Sequence, residues 1–136
     1  MPNSAYEPRT MSELDHVRIH GLIRRQQPPQ AAQITEIIDS AHLVRPQDIP
    51  ADVVTMYSQA RVADVDSGEQ RTLTVVYPQD ADAARGMISV LSPVGASLLG
   101  LPVGAVARWT GPDGTRVATR VEAILFQPEA SGDHLR

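Results

Sequence analysis

The spacing of apolar residues changes once along this chain of 136 residues, and the change limits the folds it can adopt. Before Arg45 the apolar positions recur every three or four residues, as they do on one face of a helix. After Asp52 they alternate or form short β-branched runs, as they do in strands. The proline-bounded segment Arg45–Pro50 separates the two patterns and is typical of a linker. The sequence therefore predicts an α+β protein with its helices first.

Two short helices are predicted before the linker, joined at Pro28-Pro29. Thr10 and Glu13 have the spacing of a capping box, which predicts that the first helix begins there. Its apolar face is predicted to contain Leu14, Val17, Gly21 and Leu22, widened by Ile19 and Ile23. The second helix is predicted from about Gln30 to His42, with Ala31, Ile34, Ile37, Ile38 and Ala41 as its stripe. We expect an antiparallel hairpin, a short coiled coil with arms of roughly 20 Å, attached to the following domain because it is marginal alone.

The remainder of the chain is predicted to be an antiparallel sheet with one short helix. The predicted strands are Val53–Met56, Ala60–Val65, Gln70–Tyr77, Met87–Leu91, Ala105–Thr110 and Thr115–Gln127. Ser92 and Pro93 are typical of the N-cap and first position of a helix, and Gly100 is its expected terminator. We therefore divide the chain into a disordered lead-in (1–9), a helical arm (10–45) and a globular domain (46–136) with a frayed tail from Pro128.

Composition excludes several classes of function. The absence of cysteine removes disulfides, thiolate catalysis and cysteine-based zinc sites. The net charge is −4, and all 12 basic residues are scattered arginines, so a basic face for nucleic acid is not expected. A protein partner suits this charge better. No apolar run approaches the ~20 residues of a membrane span, and Met1–Arg9 lacks the pattern of a signal peptide, so we expect a cytoplasmic protein without membrane contact.

No catalytic, cofactor or metal site is predicted. His16 and His20 have a metal-binding spacing, but their helix carries no third ligand, so a solvated face is the simpler interpretation. The pairs Asp64/Asp66 and Asp80/Asp82 lie at predicted turns, where aspartate hydrogen-bonds its own backbone. The aromatic residues Tyr57, Tyr77, Trp109 and Phe126 lie on predicted strands or strand ends, which favours core packing.

Four stretches from residue 50 onward carry a family resemblance. They are Asp52–Met56, Leu73–Pro78, Ile88–Gly100 and Phe126–Asp133. Together they resemble the C-terminal domain of the Gre transcript-cleavage factors and of their short-armed relatives, the Rnk-type regulators of nucleoside diphosphate kinase. The resemblance implies an FKBP-like domain and a non-enzymatic regulator of transcription. It also implies that a monomer binds bacterial RNA polymerase at the rim of the secondary channel, with nucleic acid contacted only within that complex.

The resemblance also implies which residues make the contact. The family docks through its Ser-Pro turn, which corresponds here to Ser92 and Pro93 with Leu91 and Val94 beside them. From the residues alone, a helix N-terminus is the favoured interpretation, because it accounts for the pair fully.

The arm tip departs from the cleavage factors, which carry acidic residues there that help to hold a catalytic magnesium ion. The tip here is Arg24, Arg25, Gln26, Gln27, Pro28 and Pro29, without a carboxylate. We therefore expect competition with Gre factors without stimulated cleavage. A Gre-like cleavage factor and an FKBP-like peptidyl-prolyl isomerase are the alternatives.

Overall fold

Helices and a curled five-stranded sheet organise the residues that the computed structural model describes, 8–111 and 113–132. The elements are β1 (Thr10–Ser12), α1 (Glu13–Gln26), α2 (Ala31–Asp39), β2 (His42–Val44), β3 (Gln59–Asp64), β4 (Gln70–Val76), β5 (Met87–Ser89), α3 (Pro93–Leu98), β6 (Val106–Thr110) and β7 (Arg116–Phe126). Short 3-10 turns occur at Pro46–Asp48, Pro78–Asp80 and Ala83–Arg85. The α+β class is confirmed, whereas the coiled-coil and FKBP-like descriptions and the domain boundaries stay predictions.

The sheet has the order β5-β4-β3-β7-β6 and is antiparallel except at one edge. There β5 pairs in parallel with β4, so the prediction of a purely antiparallel sheet is wrong for this pair. A parallel pair requires a crossover, and the connection through the turns Pro78–Asp80 and Ala83–Arg85 supplies it. Two register shifts between β3 and β7 increase the local twist and help the sheet to curl.

The first helix begins differently from the prediction. Ser12 is the N-cap, and its Oγ accepts a hydrogen bond of 3.0 Å from the Asp15 backbone N–H. Thr10 instead belongs to β1, which pairs in parallel with β2 across the base of the arm. The second helix accordingly ends at Asp39, three residues before the predicted His42. Backbone pairing between segments about 30 residues apart has overridden the local capping signal at Thr10.

The buried face of the arm is also shifted. Val17 is 68 % exposed, whereas Asp15, Ile19 and Leu22 are buried on α1. On α2 the predicted stripe is present, with Ile34 and Ile38 fully buried. The buried apolar residues of both helices pack with those of the sheet domain, called the body below, in one continuous hydrophobic core. The arm therefore packs on the sheet domain along its base.

The predicted strand Val53–Met56 is a buried connector. Val53 makes one isolated bridge with Pro102, and Val54 exchanges backbone hydrogen bonds with Leu101 and Gly100. All four residues are buried, and the apolar character of Val53, Val54 and Met56 reflects core packing. The β-branched pattern identified a core segment correctly, but the predicted strand is a connector with one isolated bridge.

Both ends of the described chain are attached to the body. Arg9, placed by the sequence in a disordered lead-in, is buried and donates hydrogen bonds to the carbonyls of Ser97 (3.0 Å) and Leu99 (2.7 Å). Gln127 Nε2 donates to the carbonyls of Pro50 and Val53, each at 2.8 Å. The chain beyond β7 is buried against the body as far as residue 129, and the predicted fraying of the tail stays a prediction. Residues 1–7 and 133–136 of the predicted lead-in and tail lie outside the described residues.

Within residues 8–111 and 113–132, no helix combines the length and apolar character that a membrane span needs.

Candidate functional site

The Ser-Pro turn begins α3, as the sequence predicted. Ser92 is the N-cap, and its Oγ accepts from the Gly95 N–H (3.2 Å) while donating to the Ser89 carbonyl (2.6 Å). Pro93 occupies the first helical position, where its missing N–H costs nothing, and its ring is exposed. The serine hydroxyl is thus engaged in structure, and the proline is the part of the turn that faces solvent.

Gly95 holds this turn close to the sheet. A Cβ atom at Gly95 would lie 2.1 Å from the Ser89 carbonyl oxygen, far inside the van der Waals limit. The first turn of α3 therefore lies directly on the end of β5, a contact that only glycine allows. The position of Pro93 is set by this close approach.

The two apolar neighbours of the turn have a mixed role. Leu91 and Val94 are half-buried and pack against the hydrophobic core. Their side chains therefore stabilise α3 on the sheet while leaving a part of each accessible. Of the four residues predicted to make the contact, Pro93 alone is exposed.

A groove of about 760 Å³ lies beside the Ser-Pro turn. One wall is α2, including Gln33, Glu36 and Ile37, and the other is β6, including Arg108 and Trp109. Leu91, Ser92 and Pro93 lie at the α3 side of the same groove. The structure thus joins the predicted turn to surfaces from two other elements.

Sequence reasoning missed Arg108 and Trp109 as parts of this site. Arg108 is exposed on β6, and the Trp109 indole Nε1 donates a hydrogen bond of 3.3 Å to Thr119 Oγ1. That bond orients the ring, which is partly buried and partly accessible. No local pattern links residues 108–109 to residues 92–93, because their proximity depends on the packing of α3 against β6.

The aromatic side chains do not converge on the groove. Tyr57 lies in a left-handed turn (φ 66°), not on a strand, and its ring pairs with that of Tyr77 at 5.9 Å. Phe126 is 41 % exposed at the end of β7, so the prediction of core packing is wrong for it. Trp109 is the one aromatic residue among the described residues lining the groove. This distribution does not favour an aromatic-lined isomerase pocket.

The arm tip is exposed and basic. Gln27 ends α1 in a left-handed conformation (φ 47°), and its N–H donates to the Ile23 carbonyl at 2.8 Å. Pro28 and Pro29 form the turn into α2, as predicted. Arg24 and Arg25 are exposed, and neither has a carboxylate within 4.0 Å in the described part of the chain. From residue 24 the first acidic residue along the chain is Glu36.

The aspartate pairs Asp64/Asp66 and Asp80/Asp82 lie at turns and make hydrogen bonds there. Asp64 Oδ1 accepts from the backbone N–H groups of Asp66 and Ser67, both at 2.9 Å. The hydrogen bond from the Ser67 backbone N–H is the main cause that lowers the pKa of Asp64 from its usual value. Asp80 accepts from the Tyr57 hydroxyl, and Asp82 pairs with Met87 through its backbone. The turn interpretation is therefore correct for Asp64, the residue that accepts both backbone bonds.

A buried carboxyl lies where the arm meets the body. Burial, followed by the nearby charge of Glu129, raises the pKa of Asp15 to about 7, against the lowering effects of the Met56 backbone N–H and Arg18. The neighbouring Glu129 accepts a hydrogen bond of 2.7 Å from Thr55 Oγ1. Asp15 Oδ1 has no hydrogen-bond partner among the described residues. The junction therefore contains an ionisable group whose charge is unfavourable in the folded state.

Comparisons with known proteins cover both halves of the chain. Residues 49–126 match the family model described as "Transcription elongation factor, GreA/GreB, C-term". The chain is 38 % identical over 130 residues to a protein of Escherichia coli (strain K12) named "Regulator of nucleoside diphosphate kinase", covering 92 % of this chain and 94 % of that protein. It is 33 % identical to a GreA of Flavobacterium johnsoniae over 62 % of this chain and 53 % of that protein. The chain thus spans almost the whole E. coli relative but only about half of the GreA.

Solved structures agree with the fold. A structure described as a prokaryotic transcription elongation factor GreA/GreB from Nitrosomonas europaea is 34 % identical, with a TM-score of 0.73, covering 88 % of this chain and 98 % of that one. The Gfh1 protein of Thermus thermophilus, a GreA factor homologue, is 22 % identical with a TM-score of 0.50, covering 88 % and 100 %. The second likeness concerns the fold alone.

Proposed function

The chain belongs to the GreA/GreB transcription elongation factor family, and from that premise we propose that it binds bacterial RNA polymerase at the rim of the secondary channel. Bound there, it competes with Gre factors and does not stimulate transcript cleavage. It acts as a transcription regulator, not as an enzyme. An effect on nucleoside diphosphate kinase, suggested by the name of the E. coli relative, is then indirect and passes through transcription.

The observation that carries this proposal is the exposed ring of Pro93 on a rigid turn. Ser92 caps the helix and Gly95 holds it on β5, so the ring is presented in one orientation before any partner arrives. Binding through a preorganised surface loses little conformational entropy. This supports Pro93 as the centre of the contact, with Leu91, Ser92 and Val94 positioning it.

The groove beside Pro93 extends the proposed contact. A partner segment that reaches Pro93 also meets Trp109 and Arg108 on β6 and Glu36 on α2. Tryptophan and arginine are the residue types most enriched among those that dominate binding energy. The opposite charges of Glu36 and Arg108 on facing walls favour a partner that carries both signs.

The arm tip supports the absence of cleavage activity. Magnesium ions require oxygen ligands, usually with one or two carboxylates from the protein. The exposed tip has Arg24 and Arg25 and no carboxylate. In addition, α1 has 14 residues, which corresponds to a length of about 21 Å. We propose that the two arginines meet an acidic wall of the channel or RNA phosphate, since guanidinium groups bind both well.

The proposal is tested by competition for core RNA polymerase against a labelled Gre factor. The wild-type chain should displace the Gre factor, and Pro93→Ala should weaken displacement about tenfold, a loss of about 1.4 kcal/mol. Pro78→Ala is the matched control, because Pro78 also begins a short helix but does not line the groove. Trp109→Ala should weaken binding as well, whereas Arg24→Ala with Arg25→Ala tests the tip alone.

A second assay on backtracked complexes separates the alternatives. Displacement without transcript cleavage agrees with the proposal, whereas stimulated cleavage identifies a Gre-like cleavage factor. No binding at micromolar concentration would rule out the polymerase contact and direct attention to isomerase activity on proline peptides. Unchanged affinity of the double arginine variant would remove the tip from the contact.

A further inference from the structure

We propose that His16, His20 and Asp39 form a binding site for a divalent transition-metal ion at the base of the arm. The two histidines lie one turn apart on α1, and Asp39 is the last residue of α2. Asp39 Oδ1 lies 2.8 Å from His20 Nε2 and 3.1 Å from His16 Nε2. The three potential ligand atoms all lie within 4.8 Å of one another. The third ligand that α1 lacks is thus supplied by the neighbouring helix.

The distances suit a tetrahedral ion. Zinc binds imidazole nitrogen and carboxylate oxygen at about 2.0 Å, so ligand atoms around it are about 3.3 Å apart. The two observed separations between nitrogen and oxygen are shorter than this by a few tenths of an ångström. Side-chain rotations that lengthen these two separations, and that bring the two imidazole nitrogens from within 4.8 Å to the same spacing, create the site with water as the fourth ligand. Two nitrogen ligands favour Zn²⁺, Co²⁺, Ni²⁺ or Cu²⁺ over Mg²⁺ and Ca²⁺, which prefer oxygen alone.

The site is both accessible and supported. The side chains of His16, His20 and Asp39 are 22 %, 31 % and 51 % exposed, so an ion can reach them without unfolding. The imidazole rings already pack edge to face, with centroids 4.6 Å apart. Ile19 and Ile38, each directly before a ligand residue, are fully buried and hold the two helices in register. An ion bound here links α1 to α2 where the arm leaves the body.

The site is separate from the groove. Glu36, Ile37 and Ser40 of the α2 region line the groove, whereas Asp39 does not and faces α1. Metal binding therefore does not depend on polymerase binding, and either proposal can fail without the other. Without an ion, the same three side chains form a hydrogen-bonded clamp, which is the competing interpretation.

The test uses the full chain after dialysis against a chelator. Titration with zinc chloride in a calorimeter should show one ion bound per chain with micromolar affinity and a rise in Tm on saturation. Co²⁺ provides a second readout, since tetrahedral coordination produces strong visible absorption bands. His16→Ala, His20→Ala and Asp39→Asn should each weaken binding at least tenfold and abolish these bands. His42→Ala is the control, because His42 is exposed on β2 outside the cluster. This variant should bind the ion as tightly as the wild-type chain does.

Metal-free circular dichroism and Tm of each variant establish that it is folded, and His16→Gln or His20→Gln replaces the alanine variant at the same position if that variant is not. The proposal is overturned if the wild-type chain shows neither heat nor a Tm shift at saturating zinc. It is equally overturned if binding persists in the ligand variants or is lost in His42→Ala. In those cases the three residues act only as a hydrogen-bonded clamp.

Discussion

The arm and the sheet domain bury their residues in different ways. In the sheet, β3 is hydrogen-bonded on both sides, by β4 and β7, so backbone pairing and side-chain packing stabilise the same strands. In the arm, α1 and α2 satisfy their own backbones and contribute only one apolar stripe each to the common core. The arm therefore depends on the sheet for burial, whereas the sheet depends less on the arm.

Exposure of the side chains increases from the base of the arm to its tip. At its base Ser12, Asp15 and Ile19 are buried, and the short β1–β2 pair joins the two chain segments. At its tip residues 24–27 are all exposed. The base is therefore part of the body, and the tip is a projection whose residues are available to a partner.

The largest expected effect comes from emptying the shared core at Ile38. Ile38→Ala should lower the free energy of unfolding by about 2–5 kcal/mol, because buried isoleucine loses transfer free energy and leaves a cavity. Urea unfolding should be followed by far-ultraviolet circular dichroism for the helices and by Trp109 fluorescence for the sheet. Both transitions should shift together. Val17→Ala, at an exposed position of α1, should change stability by less than about 0.5 kcal/mol. Separate transitions would show that the arm folds independently.

A methyl group at Gly95 should be the next most damaging change. Gly95→Ala forces α3 away from the Ser89 carbonyl and should cost about 1–3 kcal/mol, as overpacking commonly does. It should also displace Pro93 and weaken polymerase binding. Thermal unfolding and the competition assay measure the two effects. Normal binding by a destabilised protein would show that the turn is not placed by this contact.

The buried Asp15 predicts that stability falls with rising pH. Its pKa is 3.8 in the unfolded chain and about 7 in the folded protein. Between these values the folded state holds the extra proton, so raising the pH favours unfolding, and above about pH 7 the effect levels off. From pH 5 to pH 7 the loss should be on the order of 2 kcal/mol. Asp15→Asn should remove this slope, measured by urea unfolding at several pH values. An unchanged slope would assign the pH dependence to groups other than Asp15.

The smallest expected effect is a gain at Gly21 in the arm. A Cβ there meets only the end of the flexible Arg25 side chain, at 3.2 Å, with no backbone in the way. Gly21→Ala should therefore stabilise α1 by about 0.5–1 kcal/mol through helix propensity and a less flexible unfolded chain. Tm is the measurement, with Gly95→Ala as the opposite case. A loss of stability would mean that α1 packs more tightly along this face than its exposure indicates.

Part of the candidate site was accessible to sequence reasoning. Ser92 and Pro93 predict a helix N-terminus from local backbone chemistry, and in the structure they are the N-cap and first residue of α3. Trp109 and Arg108 were not found, since they reach the same groove from a strand that follows in the chain. The histidine pair was discounted on α1 alone because its third ligand, Asp39, lies 19 residues beyond His20.

The sequence by itself determined the α+β class, the break at Pro28-Pro29, most strand positions and the cap of α3. These depend on proline geometry, side-chain period and capping, which act within a few residues. Tertiary structure alone decided the parallel pairing of β1 with β2, the burial of Asp15 and the approach of His20 to Asp39. Each of these joins groups that are distant in the chain. Their free energy depends on which surfaces meet in the folded core, and no local pattern encodes that choice.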